Sequence, residues 1–188
     1  MEEIVGKTAK IMEKLKEVEE AMAEVNDAKR SLIDLFETRL SVFDAHFAYP
    51  TKVVASINRE LGPTTIVRWL DYARKCGYGV DGLYRMEKRG RLVKVTVEAL
   101  ELDNAGVEVD VTLTYRDAWG EEVAVHESYE VCFSKSTKLG DLVMFAALVE
   151  EEDLDKLIEK AREEAREVKE VAERLREVMA VVKLLLQG

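Results

Sequence analysis

The chain has 188 residues, 47% hydrophobic and 35% charged, and its 28 basic against 38 acidic side chains give a formal net charge of −10. That apolar content excludes a disordered chain, two cysteines exclude a disulfide framework, and no apolar run approaches the roughly 18 residues of a membrane span. The opening Met1-Glu2-Glu3 carries no signal-peptide pattern, so the sequence reads as cytoplasmic.

Ile4, Thr8, Ile11, Leu15, Val18, Met22, Val25, Lys29, Leu32 and Phe36 keep an unbroken 4-3 spacing with Glu and Lys between them, the seam of a coiled-coil helix within 1–48. Lys29 interrupts the apolar row and is a candidate for setting register. His46, near the end of this helix, suits packing and the helix dipole. Thr51 then reads as the cap of a short helix through Leu61, with Val53, Val54, Ile57 and Leu61 on one face and Gly62 ending it. Pro63 suits the first turn of a second short helix to about Cys76, carrying Ile66, Val67, Trp69, Leu70 and Ala73.

Gly77-Tyr78-Gly79-Val80-Asp81-Gly82 matches G-x-G-x-x-G. Dinucleotide binding needs those glycines after a strand and before a helix, so that phosphate meets the helix N-terminus. Here a helix precedes and a strand follows, and the segment reads as a turn. No other nucleotide, metal or nucleophile motif is present, so no cofactor, metal or catalytic residue is expected, and the chain reads as a non-enzyme.

After Gly82 the apolar period becomes two, and strands are expected at 83–87, 92–102, 107–115 and 121–133, the first two joined by the basic turn Lys88-Arg89-Gly90-Arg91. Asp103-Asn104-Ala105-Gly106 and Asp117-Ala118-Trp119-Gly120 share one pattern, a type I turn closed by a glycine bulge. That pattern predicts Val97 facing Leu113 and Val125, and Val95 facing Tyr115 and Val123. It also sets Glu127 on the apolar face beside Val111 and Ala99, with a bulge or an arginine such as Arg68 to accommodate it. On the other face it opposes Glu108 to Glu130 and places His126 across from Thr112 near Glu98.

A helix from about Asp141, rich in Leu142, Val143, Phe145, Ala146 and Leu148, leads into a second 4-3 seam. This one runs through Leu154, Ile158, Ala161, Ala165, Val168, Ala172, Leu175, Met179, Val182 and Leu186. The expected fold is α+β: N- and C-terminal helices (1–48 and 151–188) forming an antiparallel coiled-coil stalk, around a head (49–150) of two short helices and an antiparallel β-meander. Reversal near 48 and 151 would set Ala161 and Ala165 opposite Phe36, with Leu175 and Met179 opposite Val25 and Met22. Ile11, Leu15, Val18, Met22, Val25, Leu32, Phe36, Val168, Leu175, Met179, Val182 and Leu186 are the expected oligomerisation residues, and Val171, Val178 and Leu185 remain beside the main stripe for further partners. Self-association as a dimer or larger is expected.

Charge is uneven: residues 1–50, 51–95, 96–150 and 151–188 carry −4, +6, −9 and −3. The basic segment nominates Arg68, Arg74, Lys75, Arg85, Lys88, Arg89 and Arg91 as macromolecule-binding residues. Ile57-Asn58-Arg59-Glu60-Leu61-Gly62, Thr64-Thr65-Ile66-Val67-Arg68-Trp69-Leu70 and the Lys88-to-Arg91 hairpin tip together resemble a winged helix-turn-helix. That resemblance implies Thr64, Thr65 and Arg68 toward bases and Arg74, Lys75, Lys88, Arg89 and Arg91 toward phosphates. The sequence thus predicts a non-enzymatic assembly or adaptor protein with a protein partner, and a DNA-binding regulator, contacting nucleic acid through residues 52–94, as the alternative.

Overall fold

The computed structural model describes residues 2–39, 52–77, 90–134 and 137–188, with side chains 36–39 left aside. Chain order is α1 (Glu2–Arg39), β1 (Val53–Leu61), α2 (Pro63–Lys75), β2 (Arg91–Leu102), β3 (Gly106–Arg116), β4 (Glu122–Cys132), α3 (Leu139–Leu148) and α4 (Glu151–Gln187). The four strands form one antiparallel sheet in sequence order. The α+β class, with a long helix at each end and an antiparallel sheet between, is therefore as expected. The expected strand 83–87, His46 and the Phe36 side chain lie outside the described residues, as does most of the glycine motif.

The two long helices pair within the chain, but they run parallel. Lys7 Nζ meets Glu150 at 2.8 Å, Lys14 meets Asp155 at 2.6 Å, and Lys29 meets Glu164 at 3.2 Å, so both partners ascend together. Arg162 and Glu24, 4.0 Å apart, follow the same order. The antiparallel stalk is thereby overturned, and Ala161 and Ala165 lie level with Val25 and Lys29 instead of Phe36. The reason is the return path: Lys160 Nζ donates to the Val54 carbonyl at 2.9 Å while Arg59 binds Asp153, so β1 runs back down α4. A chain that rises along α1 and descends through β1 can rise again through α4.

The expected helix at 51–61 is the edge strand β1. Val53, Ala55 and Ile57 are buried and Val54, Ser56 and Asn58 exposed, a period of two. Three β-branched residues suit either period on paper, and pairing with β2 decides for the strand. Helix α2 begins at Pro63 as expected, burying Ile66, Trp69, Leu70 and Ala73, and just past its end at Lys75 the chain turns at Gly77, with φ 74°.

The two Asp-to-Gly turns differ. At Asp117–Gly120 the glycine has φ 82° and the Asp117 amide donates to the Glu121 carbonyl, so the expected bulge forms and Leu113 faces Val125, Tyr115 faces Val123. Gly106 has no left-handed φ; the turn closes one residue tighter, with the Asp103 amide donating to the Gly106 carbonyl and Asp103 Oδ1 accepting from Ala105 and Gly106. Glycine is required there for room, since a Cβ would stand 2.1 Å from the Val131 carbonyl oxygen. A second irregularity between Val97 and Ala99 shifts β2 again, so Val95 faces Leu113 and Val97 faces Val111, two residues from the expected register.

One core joins these parts. The inner sheet face (Val95, Val97, Leu100, Leu102 and the odd residues 107–115) is covered by α3 and the first half of α4. Residues 142–149 are buried on every side, which accounts for the continuous apolar run there. Helix α1 lies beyond, with Ile11, Val18, Met22 and Val25 against Leu154, Ile158, Ala161 and Ala165.

Candidate interaction surfaces

Where α4 begins, charged groups link five elements. Asp153 and Glu150 form a reciprocal capping box, and Asp153 Oδ2 accepts from the Glu150 amide at 2.9 Å and from Arg59 Nη1 at 2.7 Å. Arg59 Nη2 donates to the Leu148 carbonyl, and Lys7, paired with Glu150, sits 5.4 Å from the Trp69 ring centroid. Asp153 is buried, and its pairing with Arg59 at the β1 irregularity fixes strand against helix. This cluster is structural. Its residues Glu150 and Asp153 stand in an acidic stretch whose partners, Lys7 and Arg59, lie far away in the sequence.

Among the described residues, the nominated basic side chains fall on two elements. Arg68 lies exposed on α2, with Glu3 at 3.5 Å, and Arg74 and Lys75 occupy the last turn of α2, where cations suit the helix dipole. Arg91 opens β2 and stands in register with Arg116, which donates to Glu122 at 2.8 Å. Arg85, Lys88 and Arg89 lie outside the described residues. The helix pair implied by the winged-helix resemblance is absent here, because Ile57–Leu61 belongs to strand β1, and Thr64, Thr65 and Arg68 sit on a helix preceded by sheet.

The outer sheet face is acidic. Glu101, Glu108 and Glu130 occupy one row across β2, β3 and β4, with Lys52 2.8 Å from Glu101. Burial, then Asp110 and Glu101, push the Glu108 carboxyl above its ordinary range. His126 Nδ1 lies 3.6 Å from Glu98, which also accepts from Thr112 at 2.7 Å. Glu127 is half-buried on the inner face opposite Val111, with Val97 where Ala99 was expected; the suggested partner Arg68 is the one beside Glu3. Burial, then the Glu127 charge, drive the Tyr129 phenol well above its usual value.

An open groove of about 520 Å³ between α1, the end of β4 and α3 is lined by Met12, Leu15, Val131, Phe133 and Leu142. No motif announces it, since its walls come from three distant segments. Cys132 also lines it, and burial holds that thiol above its ordinary range, with Glu130 adding to the effect.

Most of the expected oligomerisation residues lie inside one chain. Ile11, Leu15, Val18, Met22, Val25, Leu32 and Val168 are buried, so these side chains hold α1 to α4, while Leu175 is half-buried at the edge of the core. Burial along α4 ends at Ala172. Met179 is half-buried, and Val182 and Leu186 are exposed, as are Val171, Val178, Val181, Leu184 and Leu185. Among the described residues no helix is long and apolar enough to cross a membrane. No family model, curated protein or solved structure matches the chain.

Proposed function

We propose that this is a non-enzymatic assembly or adaptor protein, in which a two-helix arm attaches to protein and holds an α+β head for docking a further macromolecule. The observation that carries this reading is the far end of α4: the same seam that builds the core continues for about four turns past the last buried position, with valines and leucines on the surface. A helix whose apolar stripe outruns its own covering is an attachment element. The head contributes two faces of opposite sign, the acidic outer sheet and the basic end of α2, as docking surfaces.

Photo-cross-linking from position 178 or 185 in cells of the source organism tests this. Protein adducts at both positions are expected. Absence of any protein adduct would overturn the arm's role. Duplex DNA binding that weakens steeply with salt, and is lost on reversing Arg68, Arg74, Lys75 and Arg91, would move the function to the basic residues.

A further inference from the structure

We infer that the far end of α4 pairs with the same segment of a second copy, in a parallel, in-register coiled coil through Val171, Leu175, Val178, Val182 and Leu185. This rests on the arm being an attachment element and names its partner. The five positions follow a 4-3 heptad rotated away from α1. Val178 is 58%, Val182 47% and Leu185 75% exposed. The stripe starts at Val171 because the two preceding positions of the same 4-3 row are taken within the chain: Val168 is buried in the core and Glu164 is engaged by Lys29.

Two observations favour a second copy. The exposed seam residues and their flanking Val181 and Leu186 leave on the order of 600 Å² of apolar surface on one side of the helix, at the top of what a monomer ordinarily shows and approaching the roughly 800 Å² per partner of a standard interface. Two-fold pairing matches the heptad to itself, and it sets Arg174 against Met179 and Val181 against Leu186, so no like charges meet along the seam.

Sedimentation equilibrium of the full chain over about 1–200 µM tests the inference, in the micromolar range expected of a seam of about two heptads. The mass is expected to rise from 21.3 kDa to twice that value. The variant Val178→Glu/Leu185→Glu should stay at 21.3 kDa at every concentration with unchanged helicity by circular dichroism. Leu185→Cys, in a Cys76→Ser/Cys132→Ser background, should oxidise to a covalent dimer. A wild-type mass of 21.3 kDa throughout overturns the inference, as does an open-ended mass series, a dimer that survives the double substitution, or failure of the cysteine variant to cross-link. A monomer whose arm cross-links to a different protein refutes the second copy while leaving the attachment role standing; no protein adduct refutes both.

Discussion

The two halves of α4 carry one spacing and meet opposite fates. From Leu154 to Ala172 the seam is buried against α1 and the sheet, braced by Asp153 with Arg59 and Glu164 with Lys29. From Val178 to Leu186 the same kind of stripe is exposed. A heptad pattern therefore states which face of a helix is apolar and leaves open what covers it. That depends on which other elements lie beside each turn of the helix.

Substitutions in the near half should be costly and those in the far half nearly silent for folding. Leu157→Ala removes a fully buried side chain and is expected to cost about 3–4 kcal/mol in denaturant unfolding. Leu184→Ala, at a largely exposed position, should stay within about 0.5 kcal/mol. Equal losses at both would erase the distinction between the halves.

Asp153→Ala withdraws the acceptor of Arg59 and the capping box together, and a loss of about 3 kcal/mol is expected in the same assay. Glu164→Ala takes the carboxylate from the buried Lys29 ammonium, for about 1–2 kcal/mol, and Lys29→Leu with Glu164→Leu should restore most of that. Failure of the double variant to recover would show that the pair does more than satisfy a buried charge.

The smallest effect concerns the outer sheet face. The Glu108 carboxyl is raised in the folded state, so its contribution to stability is full below the ordinary glutamate range and is lost as pH rises through the folded value. Glu108→Gln should therefore raise the melting temperature by a degree or two at about pH 7, and that gain should vanish at about pH 3.5. A gain independent of pH would point to packing instead of charge.

Local chemistry made several elements legible: Pro63 opens α2, Gly120 closes the bulged turn, and the all-apolar 142–149 run is buried all round. The misreadings share a cause. Residues 53–61 satisfy both periods, and Gly106 looks like Gly120 until Val131 is seen against it. In each case the deciding partner is tens of residues away. The same holds for the candidate surfaces. The stripe on α4 and its surplus valines and leucines were visible in the heptads, whereas the groove beside Cys132 and the Arg59–Asp153 link needed three or four segments brought together.

The sequence by itself determined the α+β class, the two amphipathic helices, the turn positions and the sign of each charged segment, because these depend on spacing and residue chemistry within a few neighbours. The tertiary structure alone decided that the helices run parallel, that β1 is a strand, that Lys29 finds Glu164, and that the seam of α4 outruns its cover. Those outcomes depend on the path of the chain between the elements, which periodicity does not encode.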